Sequence, residues 1–142
     1  MKSYHHFLIS FIFGSSYLFL TGKSIDLVNL LPWFIGGVLV DIDHFFTYGK
    51  NYKTLNLKKI TRLIVNDYKQ NNQAIYVFHT IEFTLFLAFI IVRTSLSWQY
   101  LASYLLHLSC DGIRHKKLVK DYSWLKKWSV AYYVKLKVST KG

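Results

Sequence analysis

The sequence GGVLVDIDHFF at residues 36–46 decides how the rest of the chain is understood, because it closes a long apolar segment with two carboxylates and an imidazole. On a helix, Asp41 and His44 are three residues apart and share a face, so a carboxylate oxygen and a ring nitrogen could bind one cation. Asp43 falls on another face and needs a separate role. The segment therefore indicates an apolar helix that ends in a metal site.

The length and composition predict a small membrane protein. The chain has 142 residues, of which 52% are hydrophobic and 18% aromatic, which suits one domain but is too apolar for an ordinary soluble one. We therefore predict an all-α fold, in which residues 1–142 form a single integral membrane domain with a bundle of about four transmembrane helices. The predicted spans cover about residues 4–22, 31–47, 74–93 and 98–113. The single cysteine, Cys110, excludes an internal disulfide.

The first apolar segment, residues 4–22, has the basic flank and apolar centre of a signal peptide, but a packed helix is the favoured interpretation. No small-x-small cleavage site follows Leu20. Small and polar residues instead fall on one helical stripe, as expected of a helix that packs against others. The stripe consists of Ser3, His6, Ser10, Gly14, Tyr17 and Thr21.

The second span has its own start signals and packing residues. Asn29 is a suitable N-cap, and Pro32 is tolerated if it falls in the first turn of the helix. Gly36 and Gly37 would allow another helix to approach closely.

The basic residues predict the orientation in the membrane. The net charge is +11, and of the eighteen Lys and Arg, six lie in residues 47–75 and nine in residues 114–142. Such clusters beside apolar spans are typical of cytoplasmic loops. We therefore expect a protein of the cell (inner) membrane with both termini cytoplasmic, whose linker 48–73 and basic tail 114–142 contact anionic lipid headgroups rather than a specific nucleic acid.

The linker and the tail have different secondary-structure signals. Apolar and basic residues alternate between two faces over about residues 57–64, which predicts a short interfacial helix on the membrane surface. In the tail, an interfacial helix is favoured over a hairpin strand at residues 134–138.

This topology brings the candidate ligands to one membrane depth. The first and third spans begin on the cytoplasmic side, and the second and fourth end there. His79 and Glu82 are spaced i,i+3, and His107 and Asp111 are spaced i,i+4, so each pair is expected to share a helix face. The metal-ligand candidates are His6, Asp41, His44, His79, His107 and Asp111.

Single residues of this set have simpler roles available. One Asp could cap a helix, and one His could form an interhelical hydrogen bond. Together they favour a metal site, because buried carboxylates cost roughly 2.5–3.5 kcal/mol each at the bilayer centre, whereas a structural zinc site contributes roughly 10–16 kcal/mol.

The donor types suit zinc best, with manganese or iron as alternatives, and their number allows one or two ions. An acid outside the ligand set could serve as general base, which makes Asp43 and Glu82 the catalytic candidates. Arg114 and His115 lie on the ligand face of the fourth helix and are the candidates for binding substrate.

These motifs resemble the YdjM/YbcI-like family of small membrane-bound metal-dependent hydrolases. The resemblance spans about residues 4–115 and rests on His6, Asp41-Ile42-Asp43-His44, His79 and His107-x-x-x-Asp111. It implies a helical, metal-dependent hydrolase, remotely similar to zinc-dependent phospholipase C, which also uses His-x-x-x-Asp ligands. Val40 stands where the family usually has Pro, and Phe78-His79-Thr80-Ile81-Glu82 replaces the commoner His-Arg-Gly-x-Thr-His-Ser.

The predicted function is hydrolysis of an ester or phosphoester of a membrane lipid or lipid-linked substrate at the cytoplasmic face, by metal-activated water. The alternative is a non-enzymatic membrane protein that binds or transports metal, for which ligands should continue through the membrane. A di-iron oxidase is disfavoured, since helix-bundle sites of that kind contain Glu-x-x-His twice, and this chain has only the reversed spacing at His79 and Glu82.

Overall fold

The computed structural model describes residues 3–56, 58–60, 62–63, 76–119 and 128–132, and most of these residues are helical. These ranges contain no strand, so the predicted all-α class is confirmed. The helices are α1 (Ser3–Leu20), α2 (Leu27–Val38), α3 (Ile42–Tyr52), α4 (Ile81–Thr94) and α5 (Gln99–Val119). Two short 3-10 turns, Leu39–Asp41 and Val77–His79, precede α3 and α4.

The four predicted membrane spans are not confirmed. Within the described part of the chain, one helical segment is long and apolar enough to cross a membrane, and it is Leu27–Tyr52, with a mean hydropathy of 1.3. Half of its most apolar window is buried inside the structure, as the core helix of a soluble protein would also be. Helix α4, at 14 residues, rises only about 21 Å and is shorter than the hydrocarbon core.

Helix α2 begins earlier than its sequence signals indicate. Asp26, not Asn29, is the N-cap, and its carboxylate accepts a hydrogen bond of 2.9 Å from the backbone N–H of Asn29. The Ser24 hydroxyl also donates to this carboxylate, and together with the Asn29 backbone it holds the pKa of Asp26 below its usual value. Pro32 consequently lies inside the helix rather than in its first turn.

Two adjacent glycines allow α2 to pack against α1 on one side and α5 on the other. A Cβ atom on Gly36 would overlap the Ser103 hydroxyl and the backbone carbonyl of Tyr100, both on α5. A Cβ atom on Gly37 would overlap the Ser10 hydroxyl of α1. The predicted role of Gly36 and Gly37 in close packing is therefore confirmed, and it makes α2 the central helix.

The apolar segment does not remain one α-helix through its acidic end. Val38 leaves the helical region, with φ −123° and ψ −44°, and the 3-10 turn Leu39–Asp41 follows before α3 begins. Asp41 and Asp43 still lie on different faces, as predicted, but both are only 7% exposed. Asp43 is buried because the Val77–His79 turn covers its face.

The predicted third helix starts too early in the sequence. Thr80 is extended, with φ −98° and ψ 155°, and its hydroxyl caps α4 by accepting a hydrogen bond from the Phe83 N–H. The chain therefore changes direction between His79 and Glu82. The prediction that these two residues share a helix face is wrong.

The linker and tail lie partly outside the described residues. Residues 58–60 and 62–63 are helical, as predicted, and Ile60 is buried. Residues 57, 61 and 64 of the predicted interfacial helix lie outside. In the tail, residues 130–132 are helical, and the possible strand at residues 134–138 lies outside.

Candidate metal centre

All six predicted metal ligands lie in one buried cluster formed by α1, α3, α5 and the two 3-10 turns, beside the end of α2. Each is at most 7% exposed: His6, Asp41, His44, His79, His107 and Asp111. The helices bring these residues together from four separate stretches of the chain. The second carboxylate of the DIDH sequence, Asp43, joins the same cluster.

Two histidines at the centre have their ring orientation set by their Nδ1 atoms. His79 Nδ1 lies 3.2 Å from Asp43 Oδ2, and His107 Nδ1 lies 2.8 Å from the Gly37 carbonyl oxygen. A carboxylate and a carbonyl accept hydrogen bonds, so both Nδ1 atoms donate. When both rings are neutral, each Nε2 then carries a lone pair, and these two Nε2 atoms lie 3.1 Å apart. Two lone pairs at this distance repel, so either a proton or a metal ion must lie between the two nitrogens.

Two carboxylates complete the surroundings of these nitrogens. Asp41 Oδ1 lies 3.5 Å from His107 Nε2 and 3.8 Å from His79 Nε2. Asp111 Oδ2 lies 3.4 Å from His107 Nε2 and 3.6 Å from His79 Nε2. A tetrahedral ion with bonds of about 2.0–2.1 Å separates its ligand atoms by about 3.3–3.4 Å. Five of the six distances among these four ligand atoms are therefore close to those around a single divalent ion.

Asp43 occupies a different position from that of a general base. Its Oδ1 accepts a hydrogen bond of 2.8 Å from His44 Nδ1, and its Oδ2 accepts from the Phe78 N–H at 2.9 Å and from His79 Nδ1. Both oxygens therefore already accept hydrogen bonds from the chain. The carboxylate instead orients His79, as the partners of metal-bound histidines commonly do.

His44 lies at the edge of the cluster. Its Nδ1 is bonded to Asp43 and lies 3.9 Å from Asp41 Oδ1. The ring stacks on Tyr76 with the centroids 3.9 Å apart, and the Tyr76 hydroxyl is 2.8 Å from that of Tyr48. His44 is close enough to Asp41 and His79 to form a second possible ligand group with them.

Glu82 lies outside the metal centre, contrary to its predicted catalytic role. Its carboxylate accepts hydrogen bonds from the Ser129 hydroxyl at 2.8 Å and from the backbone N–H groups of Val130 and Ala131 at 3.2 and 3.3 Å. These N–H groups begin the short tail helix at residues 130–132. Glu82 therefore caps that helix and fixes the tail against α4.

The two predicted substrate-binding residues remain predictions. Arg114 lies on α5, three residues beyond Asp111, and is half-buried. The backbone of His115 is helical, but its side chain lies outside the described residues.

Two orienting groups of the site have no sequence motif. The backbone carbonyl of Gly37 fixes His107, and the ring of Tyr76 supports His44. The adjacent glycines predicted close helix packing, but they did not predict that the Gly37 carbonyl would accept a hydrogen bond from His107. Tyr76 falls in a segment that was predicted to be an ordinary part of the third span.

Comparison of the chain with protein-family models, with curated proteins and with solved structures finds no match. The assignment of this site therefore depends on its geometry.

The different positions of Asp43 and Glu82 give a testable contrast. Asp43→Asn removes a carboxylate that accepts from two imidazoles, so we expect the affinity for zinc to fall about 10–100-fold. Glu82→Gln should leave zinc affinity unchanged, because Glu82 contacts only the tail. Competition titration with a chelating dye measures both. Equal affinities in the two variants would contradict the orienting role of Asp43.

Proposed function

We propose that this chain is a metal-dependent hydrolase of a membrane-associated ester or phosphoester. One observation carries the proposal: two buried imidazoles approach each other through their Nε2 atoms at 3.1 Å, with carboxylate oxygens of Asp41 and Asp111 within 3.5 Å of His107 Nε2. A hydrolytic metal centre explains why such groups are buried together.

The charges of the cluster support a divalent ion. Asp41, Asp43 and Asp111 together carry three negative charges when ionised, which favour divalent cations in a place from which water is largely excluded. Nitrogen and oxygen donors without a thiolate suit zinc, manganese or iron. A shared proton between His79 and His107 is the competing occupant, and metal analysis distinguishes the two.

A divalent ion in this position would act as a Lewis acid and lower the pKa of a water molecule that it binds. The chain itself supplies the orientation. Asp43 and the Gly37 carbonyl hold His79 and His107 with Nε2 directed at the site. Asp41 Oδ2 is buried and has no hydrogen-bond partner among the described residues, so it is available to accept a hydrogen bond from bound water or to bind metal.

An apolar cavity beside the cluster suits the hydrocarbon part of a substrate. Its volume is about 170 Å³, and it lies between α2, α4 and α5. Val40 and Phe78 line it and directly precede Asp41 and His79 in the sequence. An apolar group in this cavity would therefore lie close to the proposed metal.

The distribution of polar and apolar side chains supports a membrane location. Among the described residues, eleven polar or charged side chains are buried against nine hydrophobic ones. Large hydrophobic side chains are exposed along α1 and α4, including Phe7, Phe19, Phe89 and Val92. Exposed apolar surface around a polar interior is what lipid favours. We propose the cytoplasmic side of the cell (inner) membrane, where the basic segments would contact anionic lipid.

Relationship to the YdjM/YbcI-like family is part of the proposal, and it is supported by the order of the motifs and by their meeting in one place. The alternative function, non-enzymatic metal binding or transport, has less support. The next buried polar group along α5, the Ser103 hydroxyl, donates to the Pro32 carbonyl oxygen and so offers no continuing path for an ion.

The functional test combines metal content with hydrolysis. Detergent-purified protein should contain zinc, manganese or iron and cleave a chromogenic lipid ester or phosphodiester. Asp111→Asn should lose the metal and reduce the rate at least about 10²-fold, because it removes a ligand. Ser109→Ala is the matched control, since Ser109 is exposed on the same helix.

Three outcomes of this test are distinct. Metal without hydrolysis of any substrate would favour the non-enzymatic alternative. Protein that contains no metal and takes up none on dialysis would contradict the proposal entirely. If hydrolysis persists in the metal-free Asp111→Asn variant, the activity does not arise at the proposed metal centre.

The membrane proposal predicts a specific topology. After Cys110 is replaced by serine, single cysteines introduced at Ser24 and Lys141 should react with an impermeant maleimide from opposite sides of sealed vesicles. An odd number of crossings between these positions would produce this pattern. Labelling of both positions from one side would contradict the four-span arrangement.

A further inference from the structure

His6 is the member of the cluster that the ion proposed between His79 and His107 does not need. It lies on α1 and is 1% exposed; its Nδ1 has no hydrogen-bond partner among the described residues, and its Nε2 lies 3.2 Å from Asp111 Oδ1 at angles that do not meet those of a hydrogen bond. A buried polar group without a partner is costly, and such groups are rare in folded proteins. The position of His6 therefore calls for a ligand.

The ring of His6 is directed at the same carboxylate as its neighbour. His6 and His107 stack with centroids 3.8 Å apart and planes inclined by 24°. His107 Nε2 lies 3.4 Å from Asp111 Oδ2, whereas His6 Nε2 lies 3.2 Å from Asp111 Oδ1. Two nearly parallel imidazoles thus approach the two oxygens of one carboxylate.

This arrangement has the donors of a two-metal site. In hydrolytic centres, ions that share a bridging carboxylate lie about 3.5–4 Å apart. A second bridge is available from Asp41, whose Oδ1 faces His107 and whose Oδ2 is buried with no hydrogen-bond partner in the described part of the chain. One oxygen of Asp41 and one nitrogen of His6 also lie within 4.8 Å of each other.

We propose that the centre binds a second divalent cation, held by His6 Nε2, Asp111 Oδ1 and Asp41 Oδ2. This inference rests on the proposed function, because the first ion, between His79 and His107, shares both carboxylates with it. Asp41 and Asp111 are then bridging ligands, and His6 is the ligand that belongs to the second ion alone. The competing role for His6 is a hydrogen bond to Asp111, which binds no metal.

The experiment counts bound ions in the full chain and measures whether they are coupled. Protein dialysed against manganese should contain about two equivalents, and its electron paramagnetic resonance spectrum should show the multiline pattern of an exchange-coupled pair. His6→Gln should contain about one equivalent and give an uncoupled six-line spectrum. His5→Gln is the matched control and should keep two, since His5 stacks on Tyr4 rather than on His107.

The outcomes separate this inference from the proposal on which it rests. Unsubstituted protein with one uncoupled manganese would overturn the second site and leave the first intact, and this result does not depend on any variant folding. Two equivalents retained in His6→Gln would also overturn it. Unsubstituted protein with no bound ion would overturn the proposed function itself.

Discussion

The fixed orientation of two buried imidazoles, whose Nε2 atoms face each other, is the constraint on which this structure depends. His79 and His107 each commit Nδ1 to a fixed acceptor, so neither ring can turn its Nε2 away without breaking a buried hydrogen bond. Their Nε2 atoms are held at 3.1 Å in a place that little water reaches. Either a proton or a metal ion must lie between these two nitrogens, and the surrounding carboxylates supply its counter-charge.

The fold can be understood as the scaffold that holds these two rings. Gly36 and Gly37 bring α5 and α1 close to α2, which places the Gly37 carbonyl against His107 and brings His6 next to it. The 3-10 turn before α3 then directs Asp41 towards His107, and the following residues present Asp43 to His79. The close approach of α1 and α5 to α2 therefore lies next to the cluster of histidines and aspartates.

Much of the site could be predicted from sequence. Carboxylates and imidazoles beside apolar segments are costly to bury unless they contact one another or a cation. Spacing on a helix correctly associated Asp41 with His44 and His107 with Asp111. It failed at Glu82, because Thr80 breaks the helix and turns the following residues towards the tail. Helical spacing also gave no indication of the partners of Asp43, because its side chain is covered by a turn 35 residues later in the chain. A contact between residues so far apart in sequence produces no periodic pattern.

The central claim is that His79 and His107 bind one metal through Nε2. Zinc K-edge X-ray absorption of the zinc-loaded chain tests it most directly, since imidazole ligands give a characteristic outer-shell scattering. The account predicts only nitrogen and oxygen neighbours at about 2.0–2.1 Å, with outer-shell scattering from at least two imidazoles that decreases in His79→Gln. Zinc bound without imidazole scattering, or with a sulfur neighbour at about 2.3 Å from Cys110, would contradict it.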